Sequence, residues 1–282
     1  MGAQTQQDAA IIRLQGVCKQ FDSHVVLDSL SLDIQAGKTT VIIGPSGGGK
    51  SVLLKHMIGL MKPDRGQVFF HEHEISAMPE HELLALRRRM GFLFQGSALF
   101  DSMTVEQNIC FPLEEHDIGT SQSRVERARD VLAMVGLVGV ESMFPEDLSG
   151  GQKRRVALAR AIALEPEVIF YDEPTTGLDP IRADLINELI SRLQRELRTT
   201  TIIVTHDMTS ARKVADRIVM LYDGRFIADA APGDLEHIDS DIVSRFIEGR
   251  ASAEELAQLD SARSRNSARE GPDAQGRSNE QA

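Results

Sequence analysis

Gly44-Pro45-Ser46-Gly47-Gly48-Gly49-Lys50-Ser51 has the types and spacing to hold a phosphate, fitting G-x-x-x-x-G-K-[ST]. Its glycines let backbone N–H groups turn inward around phosphate oxygens, and a helix opening after them adds positive potential. In such a loop Lys50 reaches the β- and γ-phosphates, and the Ser51 hydroxyl lies on Mg²⁺. A second stretch, Val168-Ile169-Phe170-Tyr171-Asp172-Glu173, is an apolar run ending in two carboxylates. Asp172 can hold the metal shell from a strand end, and Glu173 can orient and polarise an attacking water. Between the two lies Leu148-Ser149-Gly150-Gly151-Gln152. A serine hydroxyl, glycine N–H groups and a helix N-terminus there make a second anion site. Thr175-Thr176-Gly177-Leu178-Asp179 comes just after Glu173, past Pro174.

These motifs need particular elements around them. Thr39-Thr40-Val41-Ile42-Ile43 reads as a short buried strand, and Val52 to Ile58 as a helix. That strand–loop–helix setting favours a phosphate cradle over a glycine-rich turn with a chance lysine. Upstream, Ile11 to Ile34 alternates loosely and predicts short strands with turns at Asp22-Ser23 and Ala36-Gly37. Pro63-Asp64-Arg65-Gly66 is a turn leading into the strand Gln67–Phe70, so a small antiparallel sheet flanks the nucleotide core. His81 to Arg89 reads as a short helix, and Met90 to Phe94 as a strand ending at Gln95. From Gly96 to about Pro166 the pattern is mainly helical, with Thr104 and Ser149 as N-caps and Ser121 to Val135 apolar at helical spacing. The strands Val168–Tyr171, Thr201–Val204 and Ile218–Leu221 alternate with helices over Ile181–Leu197 and Met208–Ala215. The first of these helices places Ile181, Leu185, Ile186, Leu189, Ile190, Leu193 and Leu197 on one face. Such alternation predicts a largely parallel sheet covered by helices.

The chain has 282 residues, 41% of them hydrophobic, enough for a substantial core. A net charge of −11 argues against a surface that coats nucleic acid. Cys18 and Cys110 form no C-x-x-C pair, which favours a reducing compartment over a disulfide framework. Met1 to Asp8 lacks an apolar signal core, and Val131 to Val140 is far short of the roughly 20 residues of a spanning helix. We read Val131–Val140 as core, His71-Glu72-His73-Glu74 as solvated polar residues, and Arg87-Arg88-Arg89 as a charged helix end. After Gly249 the composition turns polar. Glu254, Glu255, Leu256 and Leu259 suggest a turn or two of helix, and residues 250–282 are expected to be mostly disordered.

Taken together, the motifs resemble those of the ATP-binding subunit of an ATP-binding cassette (ABC) transporter, over about Ile11 to Gly249. Leu148 to Gln152 matches the signature motif of that family without a departure. The resemblance implies an α/β P-loop NTPase fold with a RecA-like core, a small antiparallel β subdomain and an α-helical subdomain at about 96–166. It also implies a homodimer enclosing two ATPs, in which Ser149, Gly150, Gly151 and Gln152 of one subunit meet the γ-phosphate held by the other. By the same resemblance Gln95 touches Mg²⁺ and senses the membrane partner, and His206 is the switch histidine at the γ-phosphate. Asp179 crosses the dimer interface, and Phe21 stacks on adenine. Gly44 through Val52 contact ATP, and Ser51, Gln95 and Asp172 contact Mg²⁺.

A narrower resemblance, to the ATPases of lipid transporters of the Mce/Mla type, rests on Gly49–His56, Leu93–Val105 and Phe111–Leu113. It implies phospholipid or related cargo, a permease docking near Gln95 to Met103, an Mce-domain substrate-binding subunit, and a peripheral position on the cytoplasmic face of the inner membrane. Another small-molecule cargo, or a non-transport ABC ATPase, is the alternative. A plain P-loop kinase or GTPase has no use for the signature motif.

Overall fold

The computed structural model describes residues 10–251. Strands β1 (Ala10–Phe21) and β2 (His24–Gln35) form a hairpin closed where Phe21 pairs with His24. They are longer than expected. Register shifts between Leu14 and Val17 and again on to Gln20 break the side-chain alternation, which is why the sequence reads as several short strands. With β4 (Arg65–Phe70) and β5 (His73–Glu74) they make an antiparallel sheet of order β2-β1-β4-β5.

The second sheet has order β10-β9-β3-β8-β7-β6. Its parallel part comprises β3 (Thr39–Ile43), β6 (Met90–Leu93), β7 (Val168–Asp172), β8 (Thr200–Thr205) and β9 (Arg217–Tyr222). The edge strand β10 (Arg225–Ala230) pairs antiparallel with β9 and was not anticipated. Its signal was present in the Asp223-Gly224 pair, and both residues take the positive φ (49° and 72°) that a tight hairpin turn requires.

Helix α1 (Lys50–Met57) lies between the two sheets, touching β4 on one side and β7 and β8 on the other. Its Leu53, Leu54 and Met57 are fully buried, each contributing roughly 1.5–3 kcal/mol of apolar burial. Helix α2 (Glu80–Arg87) precedes β6, and Arg87 closes the end of α1, donating to Ile58 O at 3.2 Å and Gly59 O at 2.8 Å. Between β6 and β7 the chain forms α3 (Val105–Glu115), α4 (Ser121–Met134) and α5 (Gly150–Ile162), which pack on one another. Thr104 and Ser149 cap α3 and α5 as expected. Val131, Leu132, Val135, Leu137 and Val140 are buried, as expected of core, while Val138 points outward.

Helices α6 (Pro180–Leu197) and α7 (Met208–Val214) cover the parallel sheet. The apolar face of α6 is buried only from Ile186 onward. Ile181 and Leu185, expected on that face, are 76% and 63% exposed, because the first turns of α6 project past the core. His71 is less free than its motif suggests: its Nε2 lies 2.8 Å from Glu167, which also pairs with Arg89. One compact unit runs through Ile238, and a second begins at Asp239 and contains α8 (Asp241–Glu248). Of the expected tail, residues 252–282, Leu256 and Leu259 among them, lie outside the described residues.

Candidate functional site

All five residues of β3 are buried, and the strand delivers the chain to Gly44 in the middle of the sheet. A Cβ on Gly44 would stand 2.1 Å from Leu221 O, so only glycine fits against β9. Gly49 caps α1 in a left-handed conformation (φ 91°), and a Cβ there would meet Val26 at 3.0 Å. No side chain caps α1, so the amide donors of its first turn point from the loop without an intramolecular side-chain acceptor. Lys50, 6% exposed, folds over the loop and donates to Gly44 O at 2.8 Å and Pro45 O at 2.9 Å. Burial pulls its pKa down, opposed by the nearby Glu173 and Asp172 carboxylates.

The carboxylates come from the end of β7. Ser51 Oγ donates to Asp172 Oδ1 at 3.0 Å, bringing two hard oxygens to one point, a donor set suited to Mg²⁺. Burial raises the Asp172 pKa, and the Ser51 hydrogen bond resists that rise. Glu173 is 8% exposed and sits in left-handed backbone (φ 51°), an unfavourable conformation for a non-glycine residue. Its carboxylate is held from several sides. His206 Nδ1 lies 3.0 Å from Oε1, while Thr176 Oγ1 and Thr205 Oγ1 donate to Oε2 at 3.0 and 3.4 Å. Lys50 Nζ is 3.9 Å away. A carboxylate fixed this way beside a lysine-bearing phosphate loop can direct a water at a bound phosphate.

Phe21, Ser46, Gly47, Gly49, Lys50, Ser51, Val52, Gln95, Glu173 and His206 meet in one cleft of about 370 Å³. His24 and Val26 also line it. Sequence reasoning missed both, because neither residue type has a chemical signature in an alternating strand. Phe21 is 43% exposed at the mouth, with Lys19 Nζ 5.5 Å from its ring centroid.

Ser149 and Gly151 are elsewhere. They line a larger cleft of about 520 Å³ formed with Val135 and Gly136 beyond α4 and with Arg182, Leu185 and Leu189 of α6. Ser149 Oγ accepts from Gln152 N at 3.3 Å and Gln152 Oε1 accepts from Ser149 N at 2.9 Å, a reciprocal cap of α5. Ser149 and Gly150 face solvent. Asp179 caps α6, accepting from Arg182 N at 3.0 Å. The structure thus gathers the phosphate loop, Gln95, Glu173 and His206, and leaves Ser149, Gly150, Gly151, Gln152 and Asp179 outside their cleft.

The His71–Glu74 run does not form a metal site, nor does any group of three or more His, Cys, Asp or Glu among the described residues. Magnesium bound with a nucleotide asks for less, one or two protein oxygens.

Residues 27–176 match the family described as ABC transporter. The chain is 39% identical over 243 residues to the "Probable ribonucleotide transport ATP-binding protein mkl" of Mycobacterium leprae, covering 85% of this chain and 69% of that one. It is 37% identical over 246 residues to the "Intermembrane phospholipid transport system ATP-binding protein MlaF" of Escherichia coli K12, covering 87% and 91%. Among solved structures it resembles the ATP-binding cassette MJ0796 in a dimeric post-hydrolysis state bound to ADP and Pi. That likeness has a TM-score of 0.72 and 34% identity, over 78% of this chain and 98% of that one. With the family match, the likeness to that cassette and the geometry of the cleft, the chain belongs to the ATP-binding proteins of ABC transporters and is an ABC ATPase.

Proposed function

We propose that this ATPase works as a homodimer and powers the movement of phospholipid, or a closely related hydrophobic molecule, through a separate permease. The observation that carries the reading is the loop leaving the ATP cleft at Gln95. It presents Phe94 and Phe100 to solvent, with Phe100 packed on Phe111 at 4.7 Å between centroids. An apolar surface tied to a nucleotide cleft is suited to dock a membrane subunit, near Gln95 to Met103. The role proposed is peripheral, on the cytoplasmic face of the inner membrane, and among the described residues no helix is long and apolar enough to cross a membrane. An Mce-domain subunit is the proposed further partner, and nucleic acid is not. The phospholipid cargo follows the name of the MlaF relatives.

Within the site, Lys50 and the amides of Gly44 to Val52 hold the β- and γ-phosphates, and Phe21 stacks on the adenine. Ser51, Asp172 and Gln95 are the residues that would hold Mg²⁺, which neutralises phosphate charge when bound. Glu173 takes the proton side of the attacking water, and His206 fixes Glu173 and the γ-phosphate in line. Ser149, Gly150, Gly151, Gln152 and Asp179 act on the ATP of the opposite subunit. The dimeric state of the related cassette and the exposure of Ser149 support that division.

The name of the mycobacterial relatives favours a second reading, ribonucleotide cargo. Mass spectrometry of the intact complex, purified with its permease, separates the two. Co-purifying phospholipid supports the proposal. Ribonucleotides held outside the ATP sites, with no lipid, overturn the cargo assignment.

A further inference from the structure

We propose that Arg154 is a positioning residue that ties the Gln95 loop to Glu173, so that a shift of the docking surface moves the carboxylate that directs water. This inference rests on the role given to Glu173 above.

Arg154 lies on α5, in the second turn after the Ser149 cap, with its side chain turned inward and 6% exposed. Its guanidinium reaches two loops at once. Nη1 lies 3.4 Å from Gln95 O and 3.5 Å from Phe94 O. Nη2 donates to Thr176 O at 3.0 Å. The hydroxyl of the same Thr176 donates to Glu173 Oε2 at 3.0 Å. A continuous path therefore runs from the backbone of Phe94 and Gln95, through one buried side chain, to Glu173.

Three features make this more than a packing contact. Burial depresses the Arg154 pKa, and the hydrogen-bond acceptors of its guanidinium are the backbone carbonyl oxygens of Phe94, Gln95 and Thr176, which solvate the charge without cancelling it. Its Nε is buried without a partner. A cation kept at that cost is unfavourable for stability by itself, and an apolar side chain of like volume would pack there more cheaply. The planar fork is what spans two loops, and a lysine ammonium on one stem cannot. In addition, α5 grips the same loop a second time. Arg160 Nη2 donates to Ser97 O at 3.1 Å, and its guanidinium lies 5.7 Å from the Phe100 ring centroid. Ser97 and Ala98 are held there in left-handed backbone, φ 67° and 48°, a shape that needs external support. The helix that opens at the signature serine thus holds this loop at two places, at Phe94–Gln95 and at Ser97 and Phe100.

The test uses the full-length protein and the variants Arg154→Lys, Thr176→Val and the double variant, with steady-state ATP hydrolysis and thermal melting. Arg154→Lys is expected to lower kcat about tenfold or more, as misplacement of a catalytic group does. KM for ATP should stay within about twofold, the mark of an interaction made in the transition state. The double variant should be no slower than the worse single one, since both break one path. Losses that multiply, or a raised KM with unchanged kcat, overturn the inference. Should Arg154→Lys fold poorly, Arg154→Gln, which cannot bridge the two loops either, is read in the same way. Glu173→Gln separates the two levels. Normal turnover in it removes the Glu173 role itself, whereas an inactive Glu173→Gln with multiplying Arg154 and Thr176 losses removes only the inference about Arg154.

Discussion

Two glycine-rich helix starts in this molecule have nearly the same ingredients and opposite finishes. At α1 the chain enters from a fully buried strand, Gly49 caps the helix without a side chain, and Lys50 folds over the mouth. At α5 the chain enters from a loop, Ser149 and Gln152 cap each other, and the motif faces solvent. The first helix end is walled by Gly44 against Leu221 and by Gly49 against Val26. The second has open space, with nothing within 4 Å of a Cβ added at Gly150. A cradle seated on a buried strand, with no side chain capping the helix that leaves it, can bind phosphate within one chain. A self-capped, outward-facing one has no such cradle, and under the proposed function it completes the site of a second subunit.

The largest effect that bears on this contrast is at Glu173, where the halves would meet across a bound phosphate. Glu173→Gln should still bind ATP, lose hydrolysis by about 10²–10⁴-fold, and accumulate as a closed dimer in size-exclusion chromatography. Near-normal phosphate release would remove Glu173 from its role. Next, Gly44→Ala forces a methyl onto Leu221 O and should cost about 1–3 kcal/mol as an overpacking defect, whereas Gly150→Ala should leave the melting temperature nearly unchanged, because the space there is open. Equal losses in the two would erase the contrast.

A smaller pair sharpens it. Thr104 and Ser149 make the same reciprocal cap on α3 and α5. Ser149→Ala and Thr104→Ala should each cost about 1 kcal/mol in chemical denaturation, but only Ser149→Ala should depress ATP turnover. The smallest effect is at Cys110 on α3. Burial, aided by Glu106 and Glu114, pushes its thiol up to about 11. A raised thiol pKa keeps the reactive thiolate scarce below that value. Alkylation of Cys110 at pH 8 should therefore be slow in the folded protein, speed up as pH rises toward 11, and become fast on denaturation at any of these values.

Much of the site was legible because its motifs are local. The phosphate loop, the Asp172–Glu173 strand end and the Ser149 cap are each fixed by neighbours a few residues away, and the helix and strand periodicities around them are strong. What sequence reading missed depends on contacts between distant segments. His24 and Val26 enter the cleft only because the β1–β2 hairpin lies over the phosphate loop. The exposure of Ile181 and Leu185 follows from where α6 outruns the core, which periodicity cannot report. The left-handed backbone of Glu173 has no glycine to announce it. Arg154 sits in a Lys153-Arg154-Arg155 run in which nothing local marks the middle residue as the buried one, and the Gln95 and Thr176 loops that it meets are distant in sequence.

The central claim is that α1 of one subunit and α5 of another form a single active site. A purified mixed dimer of a Lys50→Ala subunit and a Ser149→Arg subunit tests it most directly. If the halves act across the interface, both defects fall in one site, the other site is intact, and the mixed dimer hydrolyses ATP well above either parent dimer. Hydrolysis no higher than the parents, with all three species still dimeric, would contradict the claim.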